Sequence, residues 1–515
     1  MSAPAGPPAF TKVLVANRGE IALRVIRACR ELGLRTVAVY SDADTRALHV
    51  READEAVHIG AAPAAQSYLR GDALIEAAMR TGAGAVHPGY GFLSEREWFA
   101  RAVRDAGLVF VGPPPEAIAA LGSKTAARAL AIAADVPVVP GTTEAVRDAD
   151  EAAAIGARLG FPVLLKAAAG GGGKGMRVVR EPGDLASALE SARREALNAF
   201  GDDAVYVEKY VVGPRHVEIQ VLGDAHGHVI ALGERECSIQ RRHQKMIEEA
   251  PSVAVTPELR AAMGAASVRL ARAAGYVNAG TCEYLLDGDG EFYFLEMNTR
   301  VQVEHPVTEL VTGIDIVQWQ LRIARGERLT VRQDEVAPRG WAIECRITSE
   351  DPANGFLPST GRITYFHQPG GPGVRWDGGI ETGSEVGLFY DPMLAKLIVH
   401  APSRAEAIAR MRRALEELAV EGVETSRGFH LRVMDDDEFV RGEIEIQWLE
   451  RRLESLLATP PPAQGVQVAA IAAALLAERE RGVRAPAAAL AGASGASADP
   501  TGAAWKAAAR REALR

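Results

Sequence analysis

The stretch that decides the fold is GTCEYLLDGDGEFYFLEMNTRVQVEHP, residues 280–306. Its two apolar runs are separated by an Asp-Gly pair at 289–290, which is a strong signal for a β-hairpin with a two-residue turn. Counting outward from that turn pairs Leu285 with Phe294. We therefore predict two antiparallel strands joined by a tight turn.

The same register places Glu283 directly opposite Glu296. Like charges at opposed positions destabilise a sheet unless something neutralises them, so the pairing favours a bound hard cation. Asn298 lies two residues beyond Glu296 and shares its face if the strand continues. Two carboxylates and an amide, completed by phosphate oxygens, suit Mg²⁺ or Mn²⁺ bound together with a nucleotide.

A polar series follows at every second position, with Arg300, Gln302 and Glu304 on one face and Val301 and Val303 on the other. An exposed strand edge with alternating charges would give the same pattern. The apolar lead-in EFYFLEM indicates instead a mostly buried strand, where unpaired charges are costly. The series is therefore predicted to line a site.

A second segment, PVLLKAAAGGGGKGMRVVR, contains the run GGGGKG at 170–175. A dinucleotide fingerprint needs a helix after the glycines, whereas MRVVR is typical of a strand, and a Walker A loop needs Ser or Thr where Gly175 stands. What remains is a glycine-rich turn whose amides approach phosphate oxygens, with Lys166 and Lys174 adding positive charge. A flexible surface hairpin is the alternative that this segment alone leaves open.

Other polar segments each have a plainer interpretation beside the functional one. The basic run at 234–252 binds an anion or forms a solvated charged loop, and HPGYGFLSE at 87–95 is a strand end that holds a ligand or a plain turn. His216 contacts a nucleotide or satisfies a backbone group. The segment VYVEKYV at 205–211 could hold an adenine edge where two domains meet.

Composition narrows the class of protein. The chain has 515 residues, 48% hydrophobic and 24% charged, with a formal net charge of −9, which is typical of globular domains and argues against nucleic acid as a main partner. The four cysteines lie far apart, and the N-terminus lacks the regions of a signal peptide. The longest apolar run, 468–477, is shorter than the roughly 20 residues that cross a bilayer. We expect a cytoplasmic protein with no membrane partner.

The order of elements predicts a mixed α/β and α+β fold. We expect, in chain order, an α/β N-terminal domain, a helical connection, a small glycine-hinged lid, a larger mixed domain and a flexible Ala/Pro/Gly-rich tail. Their predicted bounds are 1–113, 114–138, 139–211, 212–457 and 458–515.

Seven motifs in order give the chain a specific resemblance. They are ANRGEIA, HPGYGFLSE, KAAAGGGGKGM, EKYVVGPRHVEIQ, CSIQRRHQKMIEEAPS, EMNTRVQVEHPVTE and AIECRITSEDP. From Lys12 to Leu457 the chain resembles the biotin carboxylase component of biotin-dependent carboxylases, a branch of the ATP-grasp superfamily. The resemblance implies a three-domain ATP-grasp fold with a Rossmann-like N-terminal domain, a mobile glycine-rich lid and a C-terminal biotin carboxylase domain.

The resemblance also implies a role for each matching residue. The implied ATP ligands are Lys124, Lys166, Gly172, Gly173, Glu208, Lys209, Tyr210, Val211, His216, Gln240, His243, Glu283 and Glu296. The implied metal ligands are Glu283, Glu296 and Asn298. Bicarbonate is expected at Lys245, Arg300, Gln302 and Val303, and biotin at Tyr90 and Arg346. The implied catalytic residues are Lys245, Arg300, Glu304 and Arg346.

The implied reaction is the ATP- and bicarbonate-dependent carboxylation of biotin on a carrier protein, the first half-reaction of an acyl-CoA carboxylase. Glu304 removes the bicarbonate proton, and bicarbonate attacks the γ-phosphorus of ATP while Mg²⁺, Lys245 and Arg300 offset negative charge. The resulting carboxyphosphate yields CO₂ and phosphate, the phosphate deprotonates biotin, and Arg346 stabilises the biotin enolate.

The resemblance implies partners as well. They are a biotin carboxyl carrier protein or domain, a second copy of the chain, in a homodimer or a larger carboxylase assembly, and a carboxyltransferase subunit.

Two features depart from the family's usual pattern. Ala169 stands where a further glycine is usual, and after GVET the chain reads SRGFHLRVM instead of a Thr-Asn-Ile pattern. The chain also has no Met-Lys dipeptide of the kind that carries biotin in fused relatives. It is therefore either a free-standing subunit or a chain that ends where a fused relative continues.

Two other functions are weighed against this one. Another ATP-grasp ligase, such as a carbamoyl phosphate synthetase-like enzyme, would share the lid and the metal carboxylates but lack the combined HPGYGFLSE, RRHQK and RVQVEH segments. A non-catalytic nucleotide-binding scaffold would be expected to lose at least one of the four implied catalytic residues, and all four are present.

Overall fold

The computed structural model of the chain describes residues 10–142, 144–167, 176–200, 202–458 and 470–477. The predicted phosphate-binding run at 170–175, with Gly172 and Gly173, lies outside the described residues. The chain divides into one unit over Met1–Leu457 and another over Ala458–Arg515. In the second unit, residues 470–477 form an exposed helix.

The first sheet is built from short apolar strands that alternate with helices, as the sequence predicts. All its strands are parallel, in the order β3-β2-β1-β4-β5. Val13, Leu14 and Val15 are completely buried, which is why the strand has an unbroken apolar run. The elements are β1 Lys12–Val15, α1 Gly19–Glu31, β2 Arg35–Ser41, α2 Leu48–Glu52, β3 Glu55–Gly60, α3 Gly71–Thr81, β4 Ala85–His87, α4 Glu97–Asp105 and β5 Val109–Phe110.

Two helices lead from this sheet to a small antiparallel sheet of order β7-β6-β8. Val163, Leu165, Val205 and Val207 form its core with the helices behind it. The prediction that strands flank the glycine run is confirmed by β6 and β7. The elements are α5 Pro115–Gly122, α6 Lys124–Ala133, α7 Ala149–Leu159, β6 Val163–Ala167, β7 Met176–Val179, α8 Leu185–Phe200 and β8 Val205–Lys209.

The largest sheet is antiparallel and has the order β13-β12-β9-β10-β11-β14-β21-β19. Its first strands and the helices around them are β9 Arg215–Gly223, β10 Val229–Arg241, β11 Gln244–Ala250, α9 Pro257–Ala273, β12 Asn278–Leu286, β13 Phe292–Asn298, α10 His305–Thr312, α11 Ile316–Ala324 and β14 Trp341–Thr348. Because the sheet continues from β14 into β21 and β19, the predicted 212–457 region shares one sheet.

The remaining elements cover the far end of this sheet, around a core that contains Trp448, Phe429 and Leu397. They are β15 Glu350–Asp351, β16 Leu357–Pro358, β17 Gly361–Arg362, β18 Tyr365–His367, β19 Val374–Gly378, β20 Glu385–Val386, β21 Met393–Ala401, α12 Arg404–Glu417, β22 Ala419–Glu421, α13 Arg427–Met434, α14 Asp437–Arg441 and α15 Trp448–Ala458. Short 3₁₀ turns occur at Asp42–Asp44, Ala64–Gln66, Pro182–Asp184, Gln333–Glu335 and Pro352–Asn354. Among the helices that the structure describes, none has the length and hydropathy that a bilayer crossing requires.

The predicted β12–β13 hairpin is present, but its two-residue turn is wrong. The Asp287 N–H donates to the Glu291 carbonyl at 3.0 Å, so the loop contains three residues. The Asp287 carboxylate accepts hydrogen bonds from the backbone N–H groups of Asp289 and Glu291, and Gly290 adopts a φ of +86°. A carboxylate that binds two N–H groups stabilises this longer turn over the Asp-Gly one.

The register of the hairpin differs accordingly. Leu285 pairs with Tyr293, so the predicted pairing with Phe294 is wrong. A bulge after Glu283 then adds one residue on the partner strand, and Glu283 lies opposite Glu296 as predicted. The longer turn shifts the pairing by one residue, and the bulge shifts it back by one residue. The predicted register is therefore correct at the two carboxylates.

Two polar segments have backbones that the sequence did not predict. The run at 234–252 is a buried hairpin of β10 and β11, because Arg242 and His243 adopt φ of 50° and 65° and close a tight turn without glycine. The series at 300–304 is not a strand, since β13 ends at Asn298 and the chain bends before α10. Its side chains nevertheless converge, as described below.

Candidate active site

A cleft of about 1070 Å³ opens between the N-terminal domain, the small sheet and the large sheet. Most of the predicted site residues line it, although they come from distant parts of the chain. They are Tyr90, Lys124, Lys166, Glu208, His216, Gln240, His243, Lys245, Glu283, Glu296, Asn298, Arg300, Gln302, Val303, Glu304 and Arg346.

The predicted ATP ligands at the end of β8 have a different environment. The Lys209 ammonium donates to the Gly160 carbonyl at 2.8 Å, and the Tyr210 N–H donates to the Pro162 carbonyl at 3.2 Å. Neither residue, nor Val211, is among those that line the cleft. Their contact with the adenine edge stays a prediction.

Lys245 is the centre of the buried charges in the cleft. Its ammonium group donates to Glu218 Oε2 at 2.6 Å, to Glu283 Oε1 at 2.9 Å and to Glu304 Oε1 at 2.7 Å. Lys245 reaches them because the β10–β11 turn places it at the start of β11, and Glu218 and Glu283 are paired residues on β9 and β12. One cation thus holds three carboxylates.

These contacts keep Lys245, Glu283 and Glu304 charged. Burial alone would lower the pKa of Lys245, but the charges of Glu218, Glu304 and Glu283 raise it well above its ordinary value. Burial would likewise raise the pKa of Glu283, yet Lys245 holds it well below its ordinary value. Lys245 and Arg346 together hold the pKa of Glu304 below its ordinary value.

Arg346 contacts Glu304 from the other side. Its guanidinium donates to Glu304 Oε2 at 3.0 Å and to Glu248 Oε1 at 2.6 Å. Burial raises the pKa of Glu248 to about 7, although Arg346 opposes that shift. Glu304 therefore lies between two cations, with one oxygen on each.

The segment that departs from the family's usual sequence supports Arg346 from behind. It forms α13, and Ser426 and His430 both contact the Arg346 carbonyl oxygen, at 3.0 and 2.7 Å. Burial lowers the pKa of His430 to about 4, so its ring is neutral at pH 7. The atypical residues thus fix the strand position that carries Arg346.

Arg300 is held by the loop that follows β4. Its Nε donates to Glu95 Oε2 at 3.0 Å, and its Nη2 donates to Asn298 Oδ1 at 2.9 Å. The Thr299 N–H also donates to Glu95, at 2.9 Å. HPGYGFLSE is therefore more than a plain turn, since Glu95 connects the N-terminal domain to the predicted bicarbonate residue.

The predicted metal ligands present two carboxylates and one amide. The carboxylates of Glu283 and Glu296 lie on adjacent strands, and burial together with the Glu283 charge raises the pKa of Glu296. Such a pair fits a divalent cation, which would offset both charges. Asn298 fits less directly, because its oxygen accepts from Arg300 and its NH₂ group donates to Glu283 at 2.9 Å.

The nucleotide end of the cleft has looser contacts. Lys166 donates to Glu208 Oε2 at 3.0 Å, and Arg128 lies 3.6 Å from Glu208 Oε1. Lys124, whose side chain is 67% exposed, lies 3.9 Å from Glu296. Positive groups are thus available here for an anionic ligand.

The predicted biotin end is connected to the bicarbonate residues. The Tyr90 hydroxyl donates to Glu20, and Glu20 lies 3.2 Å from the fully buried ammonium group of Lys396. Lys396 also donates to the Val303 carbonyl at 2.9 Å. Two predicted binding positions therefore share one buried lysine.

Sequence reasoning missed several residues that organise this site, above all Glu218, Arg235 and Glu248. Glu218 had a usable signal, because His216, Glu218 and Gln220 alternate with apolar residues on β9 and must share one face. Arg235 and Glu248 had none, since charged residues in a polar run are ordinarily expected at the surface.

Three family models match consecutive parts of the chain. The biotin carboxylase N-terminal domain matches residues 9–118, the ATP binding domain of the carbamoyl-phosphate synthase L chain matches residues 123–332, and the biotin carboxylase C-terminal domain matches residues 344–451. The middle match carries the name of carbamoyl-phosphate synthase, the alternative considered from the sequence. The two flanking matches are to biotin carboxylase domains and distinguish this chain from that alternative.

Curated relatives and solved structures agree with these matches. The biotin carboxylase of a Nostoc species is 51% identical over 86% of this chain and 99% of that protein. Biotin carboxylase 1 of Bacillus subtilis is 50% identical over 85% of this chain and 98% of that protein. The biotin carboxylase domain dimer of Hydrogenobacter thermophilus 2-oxoglutarate carboxylase, in complex with MgADP, ADP and bicarbonate, is 47% identical, covers 88% of this chain and 100% of that chain, and has a TM-score of 0.81.

The predicted resemblance and the predicted fold class are thereby confirmed. The three family matches follow the order of the parallel sheet, the ATP-binding region and the C-terminal region of the structure. The chain belongs to the biotin carboxylase family.

Proposed function

We propose that this chain carboxylates biotin, presented by a carrier protein or domain, with ATP and bicarbonate as the other substrates. The observation that carries the proposal is the position of Glu304, a buried carboxylate held between the ammonium group of Lys245 and the guanidinium of Arg346. A base between two cations is suited to a substrate that is itself an anion and must lose a proton.

The first step is removal of the bicarbonate proton by Glu304. Although burial opposes it, the two cations hold the pKa of Glu304 low. A bicarbonate ion bound to Lys245 and Arg300 takes up part of that positive charge, which raises the proton affinity of Glu304. Substrate binding thus improves the base.

The deprotonated bicarbonate then attacks the γ-phosphorus of ATP. An oxygen–phosphorus bond forms, the bond to the β-phosphate oxygen breaks, and ADP leaves. A divalent cation bound at Glu283 and Glu296 would shield the phosphate charges. Lys245 and Arg300 stabilise the negative charge that gathers on the carboxyphosphate product.

The final step carboxylates biotin. Carboxyphosphate splits into CO₂ and phosphate, the phosphate takes the ureido N–H proton, and the biotin enolate attacks CO₂ with its charge stabilised by Arg346. Tyr90 lines the same cleft as Arg346, and we propose that it borders the biotin pocket. We propose that the 139–211 region acts as a lid, since the intermediate must be kept from water.

The partners follow from the relatives. The chain matches the propionyl-CoA carboxylase alpha chain of Ruegeria pomeroyi at 51% identity over 84% of this chain and 67% of that protein. We propose a biotin carrier, a carboxyltransferase and a homodimer as its partners, the last on the model of the solved domain dimer.

The test is ATP turnover of the purified chain with Mg²⁺, measured with and without bicarbonate and free biotin. The proposal predicts slow phosphate release that requires bicarbonate, faster release with biotin, and carboxybiotin as the product. ATP turnover that is indifferent to both additions would contradict it.

A further inference from the structure

Arg235 is a buried arginine that no step of the proposed reaction uses. It lies on β10 with no exposed surface and is not among the residues that line the cleft. Moving a guanidinium out of water is costly unless its donors are satisfied. Its position behind the site therefore calls for a specific role.

All five N–H groups of Arg235 have an acceptor. The Nε donates to Glu218 Oε1, and the two Nη groups donate to two further residues each. The Nη acceptors are Gln220 Oε1 at 2.8 Å, Thr308 Oγ1 at 2.9 Å, Thr281 Oγ1 at 3.1 Å and Gln302 Oε1 at 2.9 Å.

The contact with Gln302 decides which way its amide faces. A guanidinium group can only donate, so it must face the amide oxygen and leaves the NH₂ group for the other side. That NH₂ group donates to Glu283 Oε1 at 2.7 Å, at the wall of the cleft. Without Arg235, the Glu283 carboxylate alone would hold the amide in this orientation, and the amide oxygen would lose its donor.

The contact with Glu218 reaches the same place by another route. Glu218 gives one oxygen to Arg235 and the other to the Lys245 ammonium, at 2.6 Å. Arg235 therefore holds both Gln302 and, through Glu218, Lys245. Both are residues that we place at the bicarbonate site.

We propose that Arg235 is a positioning residue for the bicarbonate site. Its planar guanidinium, a fork of three nitrogen donors that no other side chain can supply, orients the Gln302 amide and, through Glu218, the Lys245 ammonium. The inference rests on the proposed function, because it names the support of that same site. Lysine cannot replace the fork, since it has one donor centre where arginine has three.

The test is Arg235→Lys, which keeps the charge and removes the fork. We expect the KM for bicarbonate to rise about 10–100-fold, with the KM for ATP within about threefold of the wild-type value. The matched control is Arg260→Lys, because Arg260 makes a two-point contact of 2.6 Å with Glu234, the neighbour of Arg235, away from the cleft. The control is expected to leave both KM values unchanged.

A double-mutant cycle separates positioning from general damage to the fold. In a Gln302→Ala background, Arg235→Lys is expected to change the KM for bicarbonate much less than in the wild type, because one target of its action is gone. Equal effects in the two backgrounds, or an equal rise of both KM values, would overturn the inference. If Arg235→Lys does not fold, Glu218→Gln interrupts the link from Arg235 to Lys245, and an unchanged KM for bicarbonate in that variant would also overturn the inference.

The two proposals fail in different ways. A wild-type chain without bicarbonate-dependent turnover would overturn the proposed function and the inference with it. A wild-type chain that needs bicarbonate, beside an Arg235→Lys variant with an unchanged KM, would overturn the inference alone.

Discussion

The two ends of the cleft differ in how completely their charges are paired. Around Lys245, three carboxylates lie within 2.9 Å of one buried ammonium group, and a second cation contacts Glu304 at 3.0 Å. Around Lys124, the one ion pair that the described residues show is 3.9 Å long and mostly exposed. The chemical end, around Lys245, has its charges paired with one another, whereas the nucleotide end, around Lys124, presents cations with few partners.

The difference follows from the cost of burial. A charge inside the protein must be paired to be tolerated, so the groups at the chemical end hold one another in place. Charges near water need no such pairing and remain available to a phosphate chain. Substitutions at the chemical end are therefore expected to affect both stability and rate, and those at the nucleotide end to affect mainly the binding of ATP.

The largest effect is expected from Glu304→Gln. Removing the base should lower biotin-dependent turnover by about 10²–10⁴-fold, with the KM for ATP little changed. Steady-state kinetics with varied ATP and bicarbonate check this. Glu249→Gln is the control, since Glu249 is as buried and accepts from Arg404 and Trp341, away from the cleft. Equal losses in the two variants would show that Glu304 has no special role.

The next largest effect is the loss of stability expected from Lys245→Met. Leaving Glu218, Glu283 and Glu304 without their shared cation should lower the free energy of unfolding by about 3–5 kcal/mol. Denaturant unfolding measures it. Lys12→Met is the control, since Lys12 is similarly buried but pairs with one half-exposed carboxylate, Glu55.

The same variant should change the dependence of stability on pH. Glu283 and Glu304 have folded pKa values below their ordinary 4.5, so they stabilise the wild type above that pH and lose this contribution as the pH falls. Lys245, with its pKa above 10.5, contributes below that pH and loses its contribution as the pH rises through its folded value. The stability gap between wild type and Lys245→Met should therefore narrow below about pH 4.5. A gap that is constant with pH would contradict the pairing.

Glu296→Gln is expected to raise the stability of the protein and to weaken its binding of Mg²⁺, and both changes should be smaller than those above. It removes a negative charge opposite Glu283, so without metal the variant should gain about 0.2–1 kcal/mol of unfolding free energy. It also removes a cation ligand, so the Mg²⁺ concentration for half-maximal turnover should rise about tenfold. Denaturant unfolding in EDTA and a Mg²⁺ titration of turnover measure the two effects. A loss of stability without metal would contradict the like-charge pairing.

The smallest effect on stability is expected from Lys124→Ala. Its exposed ion pair contributes at most about 0.5 kcal/mol, so the Tm should barely move. The KM for ATP should rise about fivefold or more, because a charged hydrogen bond to phosphate is lost. Thermal melting with and without ATP separates the two. If the Tm of Lys124→Ala falls as far as that of Lys245→Met, the two ends of the cleft do not differ in how much their charges contribute to stability.

Much of this site could be predicted from the sequence. The pairing of Glu283 with Glu296 was predicted correctly and is present, although the turn and the Leu285 register were wrong. Local sequence could not show that the Asp287 carboxylate caps a longer loop, nor that a bulge compensates for it. The family resemblance named most of the side chains that line the cleft.

The buried residues that support the site, Arg235 and Glu248, could not be predicted from the sequence. Arg235 and Glu248 stand in a polar run with no apolar alternation, and their burial depends on partners that come from β9, α10 and β14. Only the fold brings those partners together. The convergence of Arg300, Gln302 and Glu304 was predicted for the wrong reason, since a bend and a helix start, not a strand, place them.

The most direct test of the proposed chemistry follows the oxygen atoms of bicarbonate. We predict that bicarbonate labelled with oxygen-18 transfers one labelled oxygen to each phosphate that biotin-dependent turnover releases, as mass spectrometry of the phosphate would detect. Phosphate without label would mean that water attacks ATP, and would contradict the activation of bicarbonate at the Lys245 and Arg300 end of the cleft.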